Sequence, residues 1–525
     1  MTGRFLDPRL YSCPMPLLLC LDLGTSAVKA ALIDLDGAST AQATGSYATL
    51  TTHDGGAEQN PGDWVRAART VITQLLGDLP DVRDLVALSM TGQMQDLVLQ
   101  TAEGAAVHAI LYSDTRAAED ADQLHAQLRD TGTSWNDLTG NLQDATSCAA
   151  MFRRLARTDP GAVQRARGVV FGPAAHLAHL LGCGLWCDLT TAAATGLLDA
   201  RDRSWSAPVA RAAGLEEQLL PALTTGVGQI VGRTDASAPD LLGLPAGLPV
   251  VLAPGDAAAT TLGLVGLDVG EDYAYLGTSG WLASVLPASE GAGAGSSHHL
   301  ALGSSDGSAR TVLRISAVLA AGAAAAWARE ALLKGATPAQ ADALLEDRER
   351  RDGRGPTGLL ALPSIHGERY PVRDADLRAA LIGMGPHTRG IDLYAAVLEG
   401  VAHALSHASE QCAPGGAGEG SRPLTVVGGG ATSAPWLRIL ADVTGRPVRT
   451  VHGADAALLG CALAGADALG LQHRIRPLAV QEEGRIVDPE APAVVGHAAQ
   501  RSAHRALYSA VAQVRALSSK PSATR

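Results

Sequence analysis

One local pattern occurs twice in this chain, and a chain that repeats it has few folds open to it. The apolar run Leu17 to Leu21 ends in Asp22, Leu23, Gly24, Thr25 and Ser26, and a second apolar run, Val28 to Ile33, leads the chain back. Tyr273 to Leu276 likewise ends in Gly277, Thr278, Ser279 and Gly280. Short apolar runs bounded by glycine and hydroxyl residues read as strands joined by tight turns. Gly24 lets the backbone turn and expose its N–H groups, the hydroxyls of Thr25 and Ser26 can donate to phosphate oxygens, and Asp22 can hold a hydrated divalent cation. The plain alternative is an ordinary hairpin, because these residues are good turn formers. The echo in the second half favours a duplicated α/β fold with a boundary near Gly270.

Between and after the two turns, three strand ends carry polar groups. Trp64 to Leu76 has helical periodicity with Pro61 near its start, and the strand Leu85 to Ser89 runs into Met90, Thr91, Gly92, Gln93, Met94, Gln95 and Asp96. In open α/β sheets ligands collect at such strand ends, which makes Gln93, Met94 and Gln95 candidates for substrate contact, with a solvated turn as the alternative. Ile110 and Leu111 lead into Tyr112, Ser113, Asp114, Thr115 and Arg116, followed by a charged helix from Ala117 to Leu128. Arg116 could clamp an oxygen-rich ligand and Asp114 could accept sugar hydroxyl protons; a local ion pair at a helix start is the other reading. The strand Val250 to Leu252 passes through Ala253, Pro254 and Gly255 to Asp256 and a run of small residues. A carboxylate there can deprotonate a hydroxyl during attack on phosphorus, or simply cap the helix. Leu424 to Val427 is followed by Gly428, Gly429, Gly430 and Ala431, then by a helix from Pro435 to Thr444. Three glycines let backbone approach a flat or anionic ligand, although the spacing is neither that of a P-loop nor the dinucleotide signature.

Composition narrows the partners. With 525 residues the chain exceeds a single core, and its net charge of −12 without a long Lys/Arg cluster argues against nucleic-acid binding. A small-molecule ligand is expected. The seven cysteines have neither zinc-site nor disulfide spacing and read as reduced thiols; Cys183 and Cys187 lack the partners that would complete a metal site. No apolar run of about 20 residues spans a membrane, and Leu17 to Leu21 is too short for a signal-peptide core, so a cytoplasmic protein is expected. Residues 1–16 carry no pattern, and Met15 could be an alternative start. Residues 286–310 and 413–421 read as Gly/Ser-rich surface loops, with His298 and His299 solvent-exposed in the first, and residues 471–525 read as a peripheral tail.

Taken together these residues resemble the FGGY carbohydrate kinase family, and within it the xylulokinases, from about Leu17 to Gly470. The resemblance is carried by Asp22 to Ser26, Glu58 to Trp64, Thr91 to Met94, Ile110 to Arg116, Asp256 to Gly266, Leu276 to Gly280, Gly367 to Arg369 and Gly428 to Pro447. Ala379 to Gly400 resembles the second family signature across its length, with Gly383, Met384, Asp392, Leu393, Ala396, Val397, Leu398 and Glu399 in register. The resemblance implies an α/β fold of two ribonuclease-H-like domains, as in actin and hexokinase, with the active site in the cleft between them. It divides the chain into an N-terminal extension (1–16), a sugar- and phosphate-binding domain (17–269), a nucleotide-binding domain (270–470) and the C-terminal segment (471–525).

It implies ATP and Mg²⁺ as cofactors and a sugar, a pentulose such as xylulose or a related ketose or polyol, as substrate. Asp256 would be the catalytic base. Asp22, Gly24, Thr25 and Ser26 would embrace the ATP phosphates from one side and Gly277, Thr278 and Ser279 from the other. Gly428, Gly429, Gly430 and Ala431 would lie along the adenosine, and Mg²⁺ near Asp22 and Asp256. Gln93, Met94, Gln95, Asp114, Arg116 and Asp256 would face the sugar. A homodimer is left open.

The chain departs from the xylulokinase pattern in the sugar loops. Met94, Gln95 and Asp96 stand where Met-His-Gly is usual, and Tyr112 to Arg116 where Trp-Asn-Asp-Gly-Arg is usual. Ala257 replaces an Asn, and the first signature near Ser147 to Leu155 carries Met151 and Arg154 in place of Lys and Trp. These changes alter which sugar oxygens find partners, since buried polar groups left unpaired discriminate strongly. A nucleotide-binding regulatory paralogue without transfer activity is the competing reading, and an actin-like or chaperone ATPase a third.

Overall fold

The computed structural model describes residues 16–518 apart from 78, 80, 103, 106, 290–294, 305–309, 411–421, 452–454 and 482–483. Residues 1–15 of the expected extension (1–16) and the loop expected over 413–421 lie outside the described residues.

Two sheets organise the chain. The first contains β1 (Leu17–Leu23), β2 (Ala27–Asp34), β3 (Ser39–Ser46), β4 (Leu85–Gly92), β5 (Gln229–Arg233) and β6 (Pro249–Leu252), in the order β5-β6-β4-β1-β2-β3. β1, β2 and β3 form an antiparallel meander, while β4 and β6 run parallel to β1. The second contains β7 (Asp272–Leu276), β8 (Gly280–Pro287), β9 (His298–Leu302), β10 (Thr311–Val318), β11 (Leu424–Val427), β12 (Val448–Thr450) and β13 (Ile486–Val487), in the order β9-β10-β8-β7-β11-β12-β13. Here β7, β8 and β10 make the meander, and β11 and β12 follow in parallel. The run β3-β2-β1-β4-β6 thus recurs as β10-β8-β7-β11-β12. This is the duplication that the two echoing turns imply, in the ribonuclease-H-like form that the family resemblance implies.

The period of two along β1 shows how the first sheet is buried on both faces. Leu19, Leu21 and Leu23 pack into one core with Trp64, Ala68, Val71 and Ile72 of α1 (Pro61–Gly77), while Leu18 and Cys20 pack into the other. That second face is covered by α5 (Ala456–Ala468), whose Cys461 carbonyl accepts from Ser89 Oγ at 2.8 Å. The five cysteines among the described residues are free and buried, as expected of reduced thiols. The helix after β6 is α2 (Asp256–Leu264); α3 (Gly390–Glu410) and α4 (Ala434–Thr444) pack on the second sheet.

The two halves interlock where α2 crosses α5. A Cβ on Gly263 would lie 1.9 Å from the Ala456 carbonyl oxygen, and one on Gly460 1.9 Å from that of Ala259. No side chain fits between backbones so close. Gly460→Ala is therefore expected to force the helices apart at a cost of about 1–3 kcal/mol, read as a lower urea midpoint; an unchanged midpoint would contradict this packing.

Two expectations need correction. His298 and His299 begin β9 and are partly buried there, because β10 supplies a hydrogen-bonding partner for the segment. Residues 471–525 are not merely peripheral: they supply the edge strand β13 and a 28-residue helix, α6 (Ala491–Ser518), whose His497, His504, Leu507 and Tyr508 are buried.

Candidate functional site

Parallel strands end together, and that places the first half of the site. Asp22 pairs with Thr91, Leu23 with Gly92, and Leu252 with Met90, so the ends of β1, β4 and β6 bring Asp22, the loop 93–96 and Asp256 to one rim. The turn after β1 closes through Gly24 N–H to the Ala27 carbonyl at 3.0 Å. Thr25 Oγ1 lies 3.4 Å from the Tyr112 hydroxyl, and Ser26 is exposed. Gln59 links this turn to the next loop. Its Nε2 donates to the Thr25 carbonyl at 2.6 Å, and its Oε1 accepts from Trp64 Nε1 at 2.8 Å and Gln93 Nε2 at 2.9 Å.

Asp256 opens α2, with Gly255 as the N-cap residue and no side-chain cap; its Oδ1 accepts from the Ala257 N–H at 2.7 Å. The approach to it is held on several sides. Asp188 Oδ1 accepts from Gly255 N–H at 2.9 Å, Thr91 Oγ1 donates to the Pro254 carbonyl at 2.6 Å, and Met94 packs against Gly255 so closely that a Cβ there would lie 2.2 Å from its sulfur. Burial, and then the Asp22 carboxylate, push the Asp256 carboxyl up to about 7. Asp22 is raised to about 6, first by burial and then by Asp455, with Lys29 opposing. Lys29 itself is ion-paired with Asp455, the N-cap of α5.

The second half repeats the arrangement. Tyr275 of β7 pairs with Val427 of β11, so the turn Gly277–Gly280 and the glycine loop after β11 leave the sheet side by side. Gly277 N–H donates to the Ser279 carbonyl at 3.0 Å, and the Thr278 carbonyl accepts from Ala321 and Ala323 N–H at 3.1 and 3.0 Å. Gly428 has φ +95°, and a Cβ on it would lie 2.7 Å from the Leu276 carbonyl oxygen. Around Gly429 the space is open, which leaves its backbone accessible.

The sugar-loop candidates divide. Gln93 is buried in the Gln59 network with Oε1 unpartnered. Gln95, at φ +67°, donates through Nε2 to the Thr146 carbonyl at 2.6 Å and lines a cavity of about 240 Å³ together with Tyr112, Ser113, Asn141, Asp144 and Arg373. Asp114 and Arg116 do not line it. Arg116 Nη2 lies 2.6 Å from Asp114 Oδ2 and also pairs with Glu58, while Asp114 takes the Ala57 N–H at 2.9 Å. For these two the local ion pair is the geometry observed. Asp96 is fully buried, accepting from Tyr112 N–H at 3.2 Å and leaving Oδ2 unpartnered, so it ties the loop 93–96 to the loop 112–116.

A divalent cation fits the rim by its donor chemistry. Asp22 Oδ1 is buried without a partner, and the Asp22 carboxylate adds its negative charge to the surroundings of Asp256. Among the described residues no group of three or more His, Cys, Asp or Glu is set to hold a metal alone. One or two carboxylates completed by water and phosphate oxygens is the usual Mg²⁺ arrangement.

Asp188, Gln59 and Asp455 are absent from the sequence-based candidates. Gln59 falls inside a segment of family resemblance, whereas Asp188 meets Gly255 across 67 residues and carries no local signal.

Comparison with known proteins agrees with this fold. The FGGY family of carbohydrate kinases, N-terminal domain, matches residues 17–263, and its C-terminal domain matches residues 273–469. The chain is 28% identical to a xylulose kinase of Escherichia coli (strain K12), over 91% of this chain and 93% of that one. It is 31% identical to a glycerol kinase of Thermus brockianus, over 94% of this chain and 98% of that one. In fold it superimposes on a xylulose kinase of Rhodospirillum rubrum with a TM-score of 0.83 at 23% identity, over 95% of this chain and 99% of that one. With both domains matched in order and the two sheets built alike, the chain belongs to the FGGY family of carbohydrate kinases.

Proposed function

We propose that this carbohydrate kinase transfers the γ-phosphoryl group of ATP to a hydroxyl of a small ketose or polyol, a pentulose such as xylulose being the first candidate. The observation that carries the reading is Asp256: a carboxyl raised to about 7, at the start of a helix and beside Asp22, its approach held by Thr91, Met94 and Asp188. A base with a pKa near the working pH both exists deprotonated and takes a proton readily. In the reaction the acceptor hydroxyl gives its proton to Asp256 as its oxygen bonds to the γ-phosphorus, and the bond from that phosphorus to the ADP oxygen breaks.

The hydroxyls of Thr25, Ser26, Thr278 and Ser279 and the N–H groups of both turns bind phosphate oxygens, and the open backbone at Gly429 accepts the adenosine. Asp22 and Asp256 would hold Mg²⁺, which when bound neutralises charge on the phosphates. Gln93, Met94 and Gln95 orient the sugar, and Tyr112 and Ser113 border it; Asp114 and Arg116 shape that border from behind. Closure of the domains excludes water as a competing acceptor. A cytoplasmic setting suits this chemistry, and among the described residues no helix is long and apolar enough to cross a membrane.

ADP release with Mg-ATP and a panel of pentuloses, hexuloses, heptuloses and polyols tests the reading. Stimulation by at least one acceptor is expected. Retained ATP binding with no stimulation by any would favour the regulatory paralogue instead.

A further inference from the structure

Helix α6 lies beyond the residues matched to the family and yet reaches the substrate cleft through one loop. The cavity beside Gln95 is walled by the first domain through Tyr112, Ser113 and Asp144 and by the second through His298, Arg369 and Arg373. Arg373 and Asp144 form an ion pair from one domain to the other across this cavity. Arg373 belongs to the loop 363–378, which closes on itself: Glu368 and Asp374 exchange backbone hydrogen bonds of 2.9 and 3.0 Å, and the buried Glu368 carboxylate accepts from Ser364 Oγ at 2.7 Å and Leu319 N–H at 3.1 Å.

Outside, α6 grips both ends of the loop. Arg515 Nη1 lies 2.9 Å from Asp374 Oδ1, next in sequence to Arg373. Leu507 and Tyr508 share a small core with Leu362 and Leu377, and His504 Nε2 donates to the Ala361 carbonyl at 3.1 Å.

We propose that α6 is a brace for the cleft loop, with Arg515 and Asp374 as positioning residues that set where Arg373 meets Asp144 across the cavity that Gln95 lines. The chemistry follows from rigidity. The loop has short stretches of secondary structure only, and a charge that must meet its partner across a domain gap is placed well only if its own backbone is fixed. A long helix anchored through its middle by buried side chains supplies that fixed point. The inference about substrate binding rests on the proposed kinase reaction; the brace itself does not.

The test separates the two. In full-length protein without substrate, Arg515→Met is expected to raise hydrogen exchange in residues 363–378 while leaving the thermal midpoint within about 1 °C, since the Arg515 side chain is 37% exposed and an exposed ion pair contributes little to global stability. With D-xylulose and with glycerol as acceptors, whichever the wild type uses, the acceptor KM is expected to rise about two- to fivefold, with kcat and the ATP KM changed less than twofold. Asp374→Ala should reproduce this, and the exchanged pair Asp374→Arg with Arg515→Asp should restore it. Unchanged exchange in 363–378 would overturn the brace whether or not either acceptor is phosphorylated. An acceptor KM that does not move, or a fall in kcat and both KM values together with the midpoint, would overturn its link to the sugar site.

Discussion

Asp256→Asn is expected to lower kcat by roughly 10²–10⁴-fold, the usual contribution of a positioned general base. Asparagine keeps the shape and can still accept the Ala257 N–H at 2.7 Å, so the start of α2 should be preserved. What is lost is the ability to take the acceptor proton. The change also removes a buried charge next to Asp22, and the fold should therefore be at least as stable as the wild type, because burial disfavours the ionised form of this carboxyl. The measurement is ADP release at saturating ATP and acceptor, paired with ATP binding by calorimetry. A kcat within threefold of wild type would remove Asp256 from the role of base. A loss of ATP affinity as large as the loss of kcat would make it a nucleotide-binding group instead. Asp22→Asn is the contrasting variant: it removes the negative charge at the orphaned buried oxygen and should act mainly through the ATP KM.

The parts of this site that the sequence made legible are those encoded locally. Apolar runs of strand length ending in Gly, Thr and Ser located both turns, and the strand-to-helix junction located Asp256, because alternation, glycine and small residues report backbone geometry within a few positions. The glycine loop at 428–431 was legible for the same reason: Gly428 needs a positive φ beside the Leu276 carbonyl. Contacts between distant segments left no such trace. Asp188 secures Gly255, and Gln59 joins the first turn to Gln93, through pairings that only the folded sheet creates. Asp114 and Arg116 were visible as a charged pair, but their orientation depends on Glu58 and Ala57 arriving from another strand. The tail leaves little trace in the sequence for a further reason. The buried face of α6 carries His497, His504 and Tyr508 alongside Leu507 and Ala493, and a face built from histidines reads as polar until its partners are known.

Those histidines set the second large effect: acidification from pH 7 to 5 is expected to destabilise the second domain strongly and to release α6 first. His403 and His407 of α3 meet His497 and His504 of α6 in one buried cluster, with ring centroids 5.0 Å apart for His403 and His504 and 5.6 Å for His403 and His497. His407 Nε2 lies 3.1 Å from His504 Nδ1, and both ring nitrogens of His403 are buried without partners. The charged groups around the cluster are mainly cationic: Arg501 and Arg505, which share Glu410, and Arg348 near His497. Burial first, then neighbouring histidines and arginines, hold His403 down at about 2 and His407 at about 3; burial likewise holds His497 and His504 at about 4.

Each folded-state value lies below the unfolded one, so the neutral rings contribute stability that is present above about pH 6.5 and is lost as the pH falls toward the folded values. Between pH 7 and 5 the loss is about 2 kcal/mol for each of His497 and His504, before the two histidines of α3 are added. Urea midpoints at the two pH values, with hydrogen exchange resolved over residues 491–518, provide the check. Exchange in α6 should rise before that in β1 and β4, and His403→Phe, which removes two unpartnered buried nitrogens while keeping an aromatic ring, should raise the midpoint at pH 5 relative to wild type more than at pH 7. Equal midpoints at both pH values, or a His403→Phe variant with the same pH dependence as wild type, would show that the cluster is not what holds the helix.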